Sequence, residues 1–168
     1  MALQKRFGLW LSRTAFGAWI SRVFASRVDP AIFRWSGGRF TSMGPIVIEQ
    51  LVLTTRGRKS GQEREAQLAY TDLDGDVYVV ASNFGGQRHP AWSYNLQADP
   101  NAFMQLRDTQ IPICAVHLSD EEKHAVWDRL CENISNYDTY QERTTRNIRV
   151  YRLSPRESGA APTVEMGA

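Results

Sequence analysis

Residues 50–82 read QLVLTTRGRKSGQEREAQLAYTDLDGDVYVVAS, and two turn-forming segments divide them into three short β-branched runs. Gln50–Arg56, Glu63–Thr71 and Val77–Ser82 carry the residue types that fit a pleated strand, and Gly57–Gly61 and Asp72–Asp76 between them are short enough for hairpins. A parallel pair would need a crossover of about a dozen residues, so these strands pair antiparallel. Further along, Ala102–Leu106 and Ile111–Leu118 flank a tight turn at Asp108-Thr109, and Ile148–Leu153 is a sixth strand. Short antiparallel strands in this number point to a small barrel.

Helical segments interrupt the strands and make the class α+β. Pro90 stands where a first helical turn begins and Asp99-Pro100 where it must end, which predicts a helix over Ala91–Ala98. Ser119-Asp120-Glu121-Glu122 is a Ser-x-x-Glu capping box opening a helix over Glu121–Asn133, with Val126, Trp127, Leu130 and Ile134 as its apolar stripe. The polar segment Tyr137–Arg146 is expected to be helical as well, and the tail from Ser154 has no periodicity.

At the other end, Leu3, Phe7, Trp10 and Leu11 form one helical stripe, and Phe16, Trp19, Ile20, Val23 and Phe24 a second on nearly the opposite face. Two readings stay open: a pair of short packing helices, or an interfacial helix whose aromatic residues enter a lipid headgroup layer. The organisation is then an amphipathic helical arm over residues 1–36, a barrel domain over 37–154 and a disordered tail over 155–168.

Charge follows the same division. Residues 1–40 carry seven Lys and Arg against Asp29 alone, a net +6, and the remainder carries −4, which together give the +2 of the chain. A basic aromatic arm on a mildly acidic body suits an anionic surface. Lipid is favoured over nucleic acid, because no helix-turn-helix, zinc-finger or RNA-binding signature accompanies the charge. At 168 residues with 42% hydrophobic and 23% charged content, the chain is of ordinary globular composition, and no run of about 18 apolar residues occurs. A cytoplasmic location, with peripheral contact at the inner membrane face, is expected. Cys114 and Cys131 are too far apart in sequence for a thiol redox motif, and His89, His117 and His124 lack metal-ligand spacing, so no metal is expected.

Two segments carry chemistry. Thr54-Thr55-Arg56-Gly57-Arg58-Lys59-Ser60-Gly61, followed by Arg64, concentrates cations, a hydroxyl and two glycines at one hairpin turn. Such a turn is either a phosphate cradle, in which backbone N–H groups also converge on the anion, or a solvated basic turn. It is not a Walker A loop, because Arg58 rather than Gly precedes Lys59. The second segment, Ala81-Ser82-Asn83-Phe84-Gly85-Gly86, leaves a strand and leads to His89-Pro90-Ala91-Trp92 and Tyr94-Asn95-Leu96. Paired glycines between strand and helix let backbone approach a flat ligand; the alternative is an ordinary loop beside a core tryptophan.

Taken together, Leu51–Pro100, reading LVLTTRGRKSGQEREAQLAY…DGDVYVVASNFGGQRHPAWSYNLQADP, resembles the deazaflavin-dependent nitroreductase family, also described as coenzyme F420-dependent quinone reductases of actinobacteria. The resemblance continues through NYDTYQERTTRNIRVYRLSP and weakens before Gly37. It implies a split β-barrel of the flavin-binding type and a reductase that passes a hydride from reduced F420 to a quinone, an activated alkene or a nitro compound. It also implies that Arg58, Lys59, Ser60 and Gly61, with Arg64 beside them, hold the cofactor's phosphate and oligoglutamate tail. Ala81, Ser82, Asn83, Gly85 and Gly86 would line the ring, supported by Trp92 and Asn95. Tyr137 and Tyr140 would close over the acceptor as catalytic hydrogen-bond donors. The chain departs from the family pattern in places: Asn83 follows the Ala-Ser pair where Lys is frequent, the helix reads Trp92-Ser93-Tyr94-Asn95-Leu96 where Trp-Tyr-x-Asn-Leu is frequent, and Ile134 occupies the first place of a three-tyrosine spacing. FMN or FAD in the same barrel, or a protein that carries a cofactor or lipid without turnover, are the alternatives. Barrels of this kind often pair, so a homodimer is also expected.

Overall fold

Hydrophobic alternation in the strands closes a six-stranded barrel. The computed structural model describes residues 40–41, 44–45 and 48–156; the arm over residues 1–36 and the tail from 157 lie outside them. A two-residue ribbon, β1 (Phe40–Thr41) with β2 (Gly44–Pro45), precedes the barrel. The barrel strands are β3 (Gln50–Arg56), β4 (Glu63–Leu73), β5 (Asp76–Val80), β6 (Asn101–Leu106), β7 (Thr109–His117) and β8 (Val150–Pro155). All neighbours run antiparallel in the closed order β3-β4-β5-β8-β7-β6.

Register puts one apolar set inside. Leu53 lies opposite Ala66 on one side and Met104 on the other, while Leu153 lies opposite Val77 and Ala115. With Leu51, Val79, Ile113 and Tyr151 these residues form the barrel core. Each buried aliphatic side chain there contributes about 1.5–3 kcal/mol. Helix α1 (Ala91–Ala98) inserts Trp92 and Leu96 into the same core, Trp92 meeting the Tyr151 ring edge-on at 5.6 Å.

The alternate residues of β5 and β8 face outward into a second layer. Tyr78, Val80 and Val150 pack there with Leu130 and Ile134, contributed by α2 (Asp120–Asn133) and the residue after it. Tyr137 and Tyr140 of α3 (Tyr137–Glu142) complete the layer. The capping box forms at α2: Glu122 N–H donates to Ser119 Oγ at 3.2 Å, and Ser119 N–H donates to the Glu122 carboxylate at 2.8 Å.

Boundaries moved where side-chain chemistry overrode pattern. The β6–β7 turn is Arg107-Asp108, one residue earlier than expected, since Leu106 pairs with Thr109 and Arg107 takes φ +54°. The last strand continues through Ser154 and Pro155, which pair with Cys114 and Ile113, so the tail begins later than residue 155. Helix α3 stops at Glu142 rather than at Arg146. There the Gln141 side chain donates to Arg146 O and accepts from Ile148 N–H, satisfying backbone that a longer helix would have used, and the β-branched Thr144-Thr145 pair disfavours continuation.

Candidate active site

The basic turn is built by its own backbone. Gly57 O accepts from Ser60 N–H at 3.2 Å and Gly61 N–H at 2.7 Å, and Gly57 N–H donates to Gln62 O at 2.7 Å. Arg58 N–H donates to Asn95 Oδ1 at 3.1 Å. These amides are therefore committed within the protein, and of the turn's N–H groups only that of Lys59 has no acceptor among the described residues. What remains for a ligand is mostly side chains. Lys59 and Ser60 are exposed, and Arg64 lies outside against Gln62 Oε1 at 3.0 Å.

Asn95 supports this turn rather than a ring. Its buried amide also donates to Thr55 Oγ1 at 3.0 Å, which in turn donates to Arg64 O at 3.3 Å, so one side chain of α1 braces both arms of the hairpin. The neighbouring Tyr94 ring lies 5.1 Å from the Arg58 guanidinium and 5.2 Å from that of Arg149. Cation–π contacts of this kind restrain both arginines while leaving their N–H groups available.

The glycine loop is held from outside. Asn83, Phe84 and Gly85 have φ of +45°, +54° and +74°, three successive left-handed residues in one turn. At Phe84 that conformation costs about 1–2 kcal/mol, which contacts elsewhere must offset. Gly85 is buried, and a Cβ there would lie 3.0 Å from Tyr140 O and from Arg143 Cβ, so its missing side chain admits α3 rather than a ligand. Arg146 donates to Ser82 O at 2.6 Å and Gly86 O at 2.8 Å, and its third nitrogen meets His89 Nδ1 at 2.9 Å. Asn83 closes the loop by donating to Arg88 O at 2.8 Å.

His89 connects the two segments, standing edge-on to Tyr94 at 5.8 Å. Burial, with Arg146, Arg149 and His117 as nearby charges, pushes the His89 imidazole down to about 4. It is neutral at physiological pH. Burial also lowers Arg146 and His117. Ion pairs recorded among the described residues, Arg129–Asp74 and Arg152–Asp76, lie elsewhere, so Arg58, Arg146 and Arg149 form a cationic group without a paired carboxylate. Its chemistry suits an anion with several oxygens.

Several expected ligand contacts are core residues instead. Ala81 is fully buried in the barrel interior, and Trp92 belongs to the same core. Tyr137 and Tyr140 are 4% and 5% exposed, packed between the barrel and α2 with Trp127 and Phe84 as ring neighbours. Burial drives the Tyr137 hydroxyl above its ordinary value. Neither tyrosine closes over an open face in this arrangement, because the apolar stripe Leu130, Ile134, Tyr137 and Tyr140 faces the barrel. Ser82, Asn83 and Gly86 are partly exposed at the loop, where a flat ligand can reach them. Arg146 and Arg149 were not singled out by sequence pattern, and His89 and Tyr94 stood in the second segment without a role. The three-residue spacing of Arg146 and Arg149 in a segment leading into a strand was the one available signal.

The profile of the F420H(2)-dependent quinone reductase family matches residues 25–155. The chain belongs to that family. An F420H(2)-dependent quinone reductase of Mycobacterium tuberculosis is 35% identical over 145 residues, covering 82% of this chain and 97% of the relative. Among solved structures, an F420-H2-dependent reductase aligns with TM-score 0.58 and 31% identity, over 65% of this chain and 99% of its own. Another, described as a domain-swapped dimer, aligns with TM-score 0.59 and 29% identity, over 74% and 95%. For an F420H(2)-dependent quinone reductase, the split barrel and the reductive class of reaction follow from membership, and coenzyme F420 is the cofactor.

Proposed function

We propose that this family member binds reduced F420 across the turn and the loop and reduces a quinone or a similarly electron-poor acceptor. The observation carrying the reading is the cationic group of Arg58, Arg146 and Arg149 around Tyr94, which has no carboxylate partner among the described residues and is set between the Gly57–Gly61 turn and the Ser82–His89 loop. A cofactor with a phosphate and a carboxylate tail matches that donor set. Arg58, braced by Asn95 and Tyr94, holds the phosphate; Lys59 and Ser60 follow the tail outward, with Arg64 further along. The backbone of Ser82, Asn83 and Gly86 approaches the ring. When bound, the reduced deazaflavin supplies a hydride from C5. The protein's part is to hold its charged end, orient its flat end and keep His89 neutral beside it. Tyr140 takes a supporting place behind the loop, through the Gly85 and Phe84 contacts, and Tyr137 packs beside Trp127 in the layer under α2.

Lipid-soluble quinones favour a cytoplasmic enzyme that meets the inner membrane face, and the basic aromatic arm over residues 1–36 is the segment suited to it. Liposome flotation with and without that arm tests the contact, equal recovery being the result against it. A second copy of the chain is a further candidate partner, checked by light scattering.

Cofactor choice is tested by fluorescence quenching with oxidised F420 and with FMN at low and moderate salt. Preference for F420, weakening with salt and falling at least tenfold in Arg58→Ala, supports the reading. Preference for FMN, or binding of neither, overturns it.

A further inference from the structure

We propose that Arg146 is a positioning residue: its guanidinium fork fixes the Ser82–His89 loop so that two backbone N–H groups face the ligand side. Arg146 bonds the carbonyl before the left-handed turn, at Ser82, and the carbonyl after it, at Gly86, with its third nitrogen on His89. In a trans peptide the N–H points opposite to the C=O, and the chain has no cis bond among the described residues. Drawing Ser82 O and Gly86 O towards Arg146 therefore directs the N–H groups of Asn83 and Gln87 away from it. Neither amide has an acceptor among the described residues. Two donors turned away from Arg146, one on each side of the Gly85-Gly86 pair, suit the carbonyl oxygens along one edge of a flat heterocycle, an assignment that rests on the cofactor reading above.

Lysine could not do this. A single ammonium cannot reproduce three donors in a fixed plane, although it would keep the charge. The contact with His89 adds a condition, since Arg146 only donates and Nδ1 must be the acceptor, with any proton on Nε2. Groups facing His89 are Arg146, Arg149, His117 and the Tyr94 ring, all cationic or neutral, so the imidazole stays unprotonated and the fork stays complete.

The test uses the full chain with Arg146→Lys and Arg146→Ala. Both variants should lose at least tenfold in F420 affinity, and added guanidinium ion should restore part of it in Arg146→Ala alone. His89, followed by imidazole NMR, should titrate at higher pH in Arg146→Ala and remain low in Arg146→Lys, separating the lost charge from the lost fork. Exchange of the Gly85 and Gly86 amides, which donate to Ser82 O and Asn83 O, should accelerate at least tenfold in both. Unchanged exchange in Arg146→Lys overturns the clamp even if the parent protein binds no F420, whereas unchanged F420 affinity with accelerated exchange overturns its bearing on the ligand. If the parent binds no F420 while exchange accelerates, the clamp stands and the cofactor reading fails.

Discussion

The Gly57–Gly61 turn closes mainly through its own Gly57, with Asn95 as an outside brace, whereas the Ser82–His89 loop is held by Arg146, which lies 57 to 64 positions further along the chain. One is a largely local structure that presents exposed cations at its rim; the other is a strained backbone held by a distant segment. Local closure suits the long, variable anionic end of a ligand, which needs charge more than precise placement. Distant closure suits the reacting end, where an orientation error of an ångström is costly.

Glycine substitution exposes that difference most sharply. Gly85→Ala adds a Cβ 3.0 Å from Tyr140 O at φ +74°, and should cost about 3 kcal/mol, from left-handed strain and overpacking together. Gly61→Ala, at φ +69° with nothing nearer than 3.9 Å, carries the strain alone and should cost about 1 kcal/mol. Denaturant melts of the two variants check the ranking, and equal losses would remove the claim that the loop is tightened against α3. Asn95→Ala comes next. It removes a part-buried bond to the Arg58 N–H and a buried one to Thr55 Oγ1 and costs about 2 kcal/mol, with weaker anion binding because Arg58 loses its brace.

Acid should affect the loop and spare the turn. Because His89 titrates at about 4 when folded against an ordinary 6.5, the unfolded chain binds more protons between those values. The His89 contribution to stability is therefore present above about 6.5 and lost as pH falls towards about 4, and His89→Gln, which removes this imidazole and keeps His117 and His124, should flatten the His89 share of that part of the pH profile. The smallest effect is expected at Tyr137→Phe, where turnover should stay within twofold. A tenfold fall would return that hydroxyl to the chemistry.

Much of the barrel was legible because antiparallel hairpins are local. Gln50–Arg56 and Ala91–Ala98 have the bounds their patterns predict, and the Ser119–Glu122 box caps its helix. What pattern could not supply was β8 entering between β5 and β7, since Tyr151 finds Val79 and His117 only in the closed barrel. The site divides in the same way. The basic turn reads directly from Gly57 to Gly61, yet Arg146 and Arg149 stand in RTTRNIRVY, where the expected polar helix ends and the sixth strand begins, with no motif to mark them. The burial of the two tyrosines was hidden too: polar neighbours in NYDTYQER conceal their place on the stripe from Leu130 and Ile134.

The most direct test compares intact F420 with its deazaflavin head group lacking phosphate and tail, titrated against the parent protein over a range of salt. If Arg58, Lys59 and the neighbouring arginines hold the charged end, the head group should bind at least a hundredfold more weakly and with little dependence on salt. Equal affinity for the two, with equal salt dependence, would contradict the assignment of the basic turn and its arginine cluster to the cofactor.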